Sequence, residues 1–440
     1  MNKILPPAKL ARRELQALCD FAALSRVEAG FGYLGEAGEI LEIFGAQLWI
    51  NCRMTHMFSL FHMAGINPGT PQAPSSADLA QHGLDALSKY FQDSKNGGWF
   101  SYIETTLDPA GNPRPNLDKG PRKESYAHAF VLLAASSALA AGIPGAKQLL
   151  DAAWENHNTY WWEESQGRVQ ESFAPDWSDP EPYRGANANM HTLEALLGVY
   201  ENTLRVETMK HAVRIATQMV NVQARNHGWR MPEHYSADWQ VDPEYNRDKP
   251  NDPFRPWGIT PGHGFEWARL CLQMAATVRN SNAPELAVLS EELEWVDEAA
   301  AGLIAQARQS WDCDGAAGFV YTTDFEGKPL STQRMHWVVC EALAAQRVMT
   351  LRAKELGQDT LAEECEEHMQ TLLEYIQRYL IESPGRWHHE LDAANQPANQ
   401  TWAGKADIYH AGQAMFILDM GLTPGFALAL SQRRGGKVQL

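Results

Sequence analysis

A histidine recurs along this chain at nearly equal steps. It stands at His56, His128, His191, His263, His336 and His410, at intervals of 72, 63, 72, 73 and 74 residues. Each is followed by an apolar run rich in small residues, such as Ala127-His128-Ala129-Phe130-Val131-Leu132-Leu133-Ala134-Ala135. A fixed period of this length means one supersecondary unit copied along the chain. A second series keeps step with the first. Glycine followed by a bulky residue appears at Gly32-Tyr33, Gly98-Trp99, Gly167-Arg168-Val169, Gly228-Trp229, Gly318-Phe319 and Gly385-Arg386-Trp387. Glycine permits the positive φ of a tight turn, and the bulky residue opens a short extended piece.

The segments between these turns carry apolar residues at i, i+3, i+4 and i+7, the mark of amphipathic helices. They run over 41–63, 126–141, 190–204, 265–278, 337–351 and 361–381. The repeated unit is therefore two helices and a short hairpin. Six units can close on themselves as an all-α (α/α)6 barrel, with the alanine-rich helices inside and short β-hairpin loops at one rim. The length of 440 residues divided by six is about 73, close to the histidine step. Residues 1–440 then form a single catalytic domain, where length alone would suggest two or three. Taken singly, each histidine is more often a satisfied core or surface residue than a catalytic one. Their common register predicts instead that they meet at one funnel mouth.

Composition narrows the partners. The chain has 37 Lys+Arg against 54 Asp+Glu, a net charge of −17, which excludes nucleic acid, a ligand that needs clustered cations. No run approaches the ~18 consecutive apolar residues of a membrane span, and the start Met1-Asn2-Lys3-Ile4-Leu5-Pro6-Pro7 has no leader pattern. The cysteines Cys19, Cys52, Cys271, Cys313, Cys340 and Cys365 form no C-x-x-C pair and read as reduced, packed thiols. A cytoplasmic monomer or homodimer is expected. No phosphate-binding glycine loop and no G-x-S-x-G motif is present, so nucleotide and serine-hydrolase chemistry have no support.

The candidate chemistry lies beside the histidines. His263 and Glu266 stand at i and i+3 on one helical face, after a helix start at Thr260-Pro261-Gly262 with Thr260 as the cap. A carboxylate beside an imidazole orients the ring and raises its proton affinity. His191 and Glu194 repeat the spacing. The other four histidine helices lack a carboxylate at that offset and HExxH is absent, so no metal and no cofactor is expected. Arg53 shares a face with His56 and follows the apolar Leu48-Trp49-Ile50, which points its charge into the funnel. Trp49, Tyr126, Trp337 and Trp387 are candidate sugar platforms, although core packing is the commoner role of a tryptophan. Asn187-Ala188-Asn189 offers amides for hydroxyl groups. The loop from Asp238 to Gly262, which carries Arg255, is the longest stretch without pattern and is expected to line the site. A funnel of His, Arg, Asn, Trp and Glu suits a neutral monosaccharide. Paired histidines favour proton abstraction next to a carbonyl over glycoside hydrolysis, which needs two opposed carboxylates.

These residues resemble the N-acylglucosamine 2-epimerase superfamily, and within it the branch of mannose and sulfoquinovose isomerases. The resemblance covers nearly the whole chain. It rests on Gly30-Phe31-Gly32-Tyr33-Leu34, Leu48-Trp49-Ile50-Asn51-Cys52-Arg53-Met54, Tyr183-Arg184-Gly185-Ala186-Asn187-Ala188-Asn189-Met190-His191, Thr260-Pro261-Gly262-His263 with Glu266-Trp267, and Asp407-Ile408-Tyr409-His410. It implies a metal-independent aldose–ketose isomerisation in which His410 moves the C2 proton to C1 through a cis-enediol(ate). It also implies that His263, oriented by Glu266, assists ring opening and shuttles the proton between O1 and O2. Arg53 and His191 would hold the sugar oxygens. Compared with the sulfosugar branch, Pro253 stands where an extra arginine is found, and His389 and Ala406 stand in place of glutamines. Loss of a cation weakens the case for a sulfonate and leaves D-mannose, or the related D-lyxose, as the expected substrate. A sugar 2-epimerase, a sulfoquinovose isomerase and a non-catalytic sugar-binding protein are the alternatives.

Overall fold

The computed structural model describes residues 4–70 and 72–434. Its α-helices in chain order are α1 (Pro7–Ala22), α2 (Leu48–Ala64), α3 (Ser76–Lys89), α4 (Ser125–Ala140), α5 (Ala146–Asn156), α6 (Ala186–Thr203) and α7 (Val206–Ala216). They continue with α8 (Pro261–Arg279), α9 (Pro284–Glu291), α10 (Val296–Arg308), α11 (His336–Glu355), α12 (Asp359–Tyr375), α13 (Tyr409–Ile417) and α14 (Phe426–Arg434). The first histidine helix starts later than its apolar pattern suggests. Glu42–Phe44 is a 3-10 turn and Ala46–Gln47 a short strand before α2 begins at Leu48. No helix among the described residues is long and apolar enough to cross a membrane.

The contacts divide the chain into two compact units. Of the described residues, one comprises those in Gln16–Ala212, Gly404–Tyr409 and from Gly425 to Arg434; the other comprises those from residue 4 to Leu15, Val213–Ala403 and His410–Pro424. Within the first, α2 packs against α3 and α4, and α4 against α5 and α6. Within the second, α8 packs against α10 and α11, and α11 against α12. In both, a helix apolar all round lies beside an amphipathic one. Every residue of α8 from Pro261 to Val278 is buried, whereas α12 buries only its Ala362, Cys365, Leu372, Leu373 and Tyr375 stripe. A helix wetted on no side must be packed on all sides, and that assigns the alanine-rich helices to the core. Close approach is built in. A Cβ on Gly83 of α3 would stand 2.0 Å from Thr55 Oγ1 of α2.

Short strands set where the histidine helices start. Ala46–Gln47, just before α2, pairs with Tyr102–Ile103, and Lys123–Glu124, just before α4, pairs with Ser172–Phe173. Arg334–Met335, just before α11, pairs with Glu390–Leu391, and Ile259 bridges Thr323 ahead of α8. The glycine turns follow expectation at Gly98, Gly167, Gly318 and Gly385, all with positive φ. In the first repeat it is Gly30, not Gly32, that takes positive φ, at +121°. At Gly228 the following Trp229 also has positive φ, so no strand begins there.

Candidate active site

His263 and His410 belong to the same unit and share a design. Proline at the first turn and the Ile259 bridge fix the start of α8, which places His263 two residues after Pro261. Its Nδ1 donates to Glu233 Oε2 at 2.8 Å, and the other oxygen of Glu233 accepts the backbone N–H of Thr260 at 3.2 Å. Thr260 occupies the N-cap position, but its side chain makes no cap bond. Glu233 thus takes up the backbone N–H of the N-cap residue and holds the ring with the same carboxylate. His410, the second residue of α13, donates from Nδ1 to Glu341 Oε1 at 3.0 Å. A carboxylate can only accept, so both imidazoles carry a proton on Nδ1, and in the neutral ring the lone pair is then on Nε2. The Trp337 ring lies beside both, its centroid 5.1 Å from the ring of His263 and 5.8 Å from that of His410. Trp337 is held close by the absence of a side chain at Gly262, where a Cβ would meet its ring at 2.4 Å.

This geometry corrects one assignment. Glu233, and not Glu266, accepts from His263 Nδ1. The i, i+3 relation that joins residues 263 and 266 also joins 266 to Arg269, and Arg269 Nη2 reaches Glu266 Oε1 at 3.3 Å. Arg269 Nε in turn donates to Glu341 Oε2 at 3.0 Å. Arg269, Glu266 and Glu341 are all 2% exposed or less.

Arg53, Trp49, Tyr126, His191 and Glu194 belong to the other unit, where they join in a closed ring of contacts. Arg53 Nη2 donates to Tyr126 Oη at 2.9 Å, and the Tyr126 and His191 rings meet edge to face at 5.3 Å. His191 Nδ1 donates to Glu194 Oε2 at 3.1 Å, so the i, i+3 spacing makes a pair here. Glu194 Oε1 accepts from Tyr409 Oη, and the Tyr409 ring lies 4.6 Å from the Arg53 guanidinium. Trp49 and Phe130 also face that guanidinium, at 5.0 and 4.5 Å. Asp407 Oδ2 accepts from Arg53 Nη1 at 3.1 Å, while Asp407 Oδ1 accepts the Tyr409 backbone N–H at 2.7 Å and so starts α13. Burial opposes charge on Arg53. Tyr126, Asp407 and Tyr409 outweigh it, and the guanidinium is pushed up: it is a fixed buried cation.

The remaining members of the histidine series have other work. His56 lies eight residues beyond the start of α2, deeper than its counterparts, and bonds Ser137 Oγ at 2.7 Å. His128 donates from Nδ1 to Glu124 O at 2.8 Å and accepts the Trp99 N–H at Nε2, at 3.1 Å. Burial pulls these two down to about 4 and about 3, so both are neutral framework residues. His336 bonds the carbonyl of His389 at 3.2 Å and stacks on the His389 ring at 4.0 Å. Trp387 is buried and donates to Glu14 Oε2 at 2.9 Å, which makes it a packing residue.

Arg255 and Asn187 are the two further candidates. Arg255 donates from Nη1 to Tyr245 Oη at 3.2 Å and its carbonyl accepts from Asn246 Nδ2 at 2.8 Å, both within its own loop. The loop is braced by His234 Nε2 on Pro256 O at 2.7 Å and Trp257 Nε1 on Pro243 O at 2.9 Å. Asn187 is in the first turn of α6, with Oδ1 buried and without a hydrogen-bond partner among the described residues. Glu233, Glu341 and Arg269 were not singled out from sequence. Arg269 and Glu341 did carry a signal, as charges inside Trp267-Ala268-Arg269-Leu270 and Val339-Cys340-Glu341-Ala342. Glu233 carried none.

The chain is similar to known proteins over nearly its whole length. The family model described as N-acylglucosamine 2-epimerase (GlcNAc 2-epimerase) matches residues 30–414. A D-mannose isomerase of Thermobifida fusca is 41% identical over 421 residues, covering 95% of this chain and 95% of the relative. A D-mannose isomerase of Pseudomonas cannabina pv. alisalensis is 37% identical over 420 residues, covering 95% and 94%. A crystal structure of D-mannose isomerase matches with a TM-score of 0.77 at 27% identity, over 93% of this chain and 97% of that one. A cellobiose 2-epimerase from Spirochaeta thermophila matches at a TM-score of 0.71 and 18% identity, over 98% of this chain and 99% of that one, and shares the fold. The fold class is the (α/α)6 barrel expected from the repeat.

Proposed function

The chain belongs to the N-acylglucosamine 2-epimerase family, and from that premise we propose that it is an aldose–ketose isomerase interconverting D-mannose and D-fructose, with D-lyxose as a pentose substrate. One observation carries the reading: His263 and His410 each have Nδ1 committed to a buried carboxylate and flank one tryptophan. Two imidazoles with the lone pair on Nε2 are suited to moving protons near pH 7. His410 Nε2 takes the proton from C2 of the open-chain aldose and returns it to C1. His263 Nε2 assists ring opening and carries the hydroxyl proton from O2 to O1. The C2–H bond breaks and a C1–H bond forms, the carbonyl passes from C1 to C2, and no electron acceptor is required. The enediolate formed midway is anionic, and Arg53, with His191, is assigned to the sugar oxygens where that charge develops.

Family membership and identity with two D-mannose isomerases support this choice of sugar. The enzyme acts as a cytoplasmic monomer or homodimer, the whole chain serves one catalytic activity, and the reaction proceeds without a metal. The test is product analysis from D-mannose with and without EDTA. Fructose formed in both supports the proposal. Glucose without fructose would replace it with 2-epimerisation, and loss of turnover restored by a divalent ion would overturn the metal-free step.

A further inference from the structure

Arg269 is a buried cation set between two buried carboxylates, one of which holds a proposed catalytic histidine. Its Nε and Nη2 both lie 3.0 Å from Glu341 Oε2, its Nη2 is 3.3 Å from Glu266 Oε1, and Nη1 donates to Gln273 Oε1 at 3.3 Å. Glu341 gives one oxygen to Arg269 and the other to His410 Nδ1. We propose that Arg269 is a positioning residue that keeps Glu341 ionised and aimed at His410, and so fixes the tautomer and proton affinity of that imidazole. The inference rests on the isomerase reading for its kinetic arm only.

The reasoning is electrostatic. A carboxylate out of water favours its protonated form, and two carboxylates on one site push a proton onto one of them. Glu266 and Glu341 would be such a pair if Arg269 were absent. A protonated Glu341 could donate to His410 and move the ring proton to Nε2, the nitrogen required as the base. Arg269 prevents this by a planar fork that reaches both acids, which a lysine cannot copy. Other titratable groups around His410 in this unit include His336 on α11 with His389 stacked on it, and His263 on α8 across Trp337 with Glu233 behind it. None of these is a permanent cation.

The experiment compares the wild-type enzyme with R269M and R269K. Histidine 15N spectra, with His410 assigned from a His410→Asn spectrum, report the tautomer and titration of that ring without substrate. The pH profile of kcat for mannose conversion reports the same step in turnover. Removing a cation raises the proton affinity of the groups beside it. In R269M the acid limb and the His410–Glu341 titration should therefore move up together, by about one pH unit or more. R269K should move them less and lose kcat about tenfold. A His410 titration and acid limb at wild-type positions in R269M, with only a lower melting temperature, would reduce Arg269 to a packing residue. If R269M does not fold, R269K decides: an unmoved titration with unchanged kcat refutes the proposal. Wild-type protein inert towards mannose would refute the isomerase reading and leave the spectroscopic arm intact.

Discussion

Glu341→Gln is the sharpest perturbation of this site, because it preserves shape and changes only hydrogen-bond direction. The carboxylate accepts from His410 Nδ1 at 3.0 Å and from Arg269 Nε at 3.0 Å, one oxygen to each. An amide has one acceptor oxygen and one NH2. If the oxygen faces His410, the NH2 meets the Nε–H of Arg269, donor against donor in a buried site. If the NH2 faces His410, Nδ1 must become the acceptor, and the ring proton moves to Nε2. The second arrangement keeps Arg269 satisfied and costs only a tautomer change, so it is the one expected. A base in the wrong tautomer loses about 10⁴ in kcat in the comparable carboxylate–histidine pair of serine proteases. A loss of that size is about 5.4 kcal/mol of transition-state stabilisation. The assay is initial-rate conversion of mannose to fructose, beside circular dichroism to show a native fold. KM should change little, because the carboxylate is behind the imidazole. A folded Glu341→Gln enzyme within threefold of wild-type kcat would refute the assignment of His410 as the base.

The other predictions are smaller in scope. Arg53→Lys should lower kcat by about a hundredfold while leaving the fold intact, since a point charge cannot reach both Asp407 and Tyr126 and stack on the surrounding rings; unchanged kinetics would remove Arg53 from the site. Gly262→Ala should drive Trp337 off its seat between the two histidines and destabilise the protein by about 1–3 kcal/mol, read by urea unfolding and by Trp fluorescence; a variant as stable and active as wild type would show that the ring yields freely. The buried neutral His56 and His128 bind protons more weakly when folded than when unfolded. Their stabilising effect is fully present above about pH 6.5, the unfolded value, and is lost as pH falls towards about 4 and about 3. Urea midpoints should decline through that window, by about 1.4 kcal/mol per pH unit for each histidine, and His128→Asn should flatten the slope; an equal slope in the variant would count against it.

How much of this was legible depends on whether the signal was local. The histidine step worked because strands such as Lys123–Glu124 and Arg334–Met335 open straight into the helices that carry the histidines. The His191–Glu194 pair was legible because one helical turn builds it. The partner of His263 was not, because Glu233 lies 30 residues upstream and arrives by tertiary packing from a segment with no pattern of its own. Arg269 and Glu341 were legible in principle: a helix apolar on every face has nowhere to put an unpaired charge, so two such helices carrying opposite charges should be read together. Equal register also concealed unequal roles. His56 and His128 keep the histidine spacing, and it is Ser137 Oγ and the Trp99 N–H, invisible in the local text, that turn them into framework residues.

The strand pairs have a consequence for how such a chain could be shortened. In an open solenoid a terminal repeat can be deleted and the rest remains folded, since each repeat only leans on its neighbour. Here the strand opening α4 is hydrogen-bonded to Ser172–Phe173, and the strand opening α11 to Glu390–Leu391, each supplied by the stretch of chain that follows the helix it anchors. Excising one stretch would unfasten the first turn of the preceding helix, which is where its chemistry begins. Natural insertions and engineered cuts should therefore be tolerated at the far ends of the hairpins, such as the Ala141–Gly145 turn, and not between a glycine turn and the helix after it, where these anchoring strands lie.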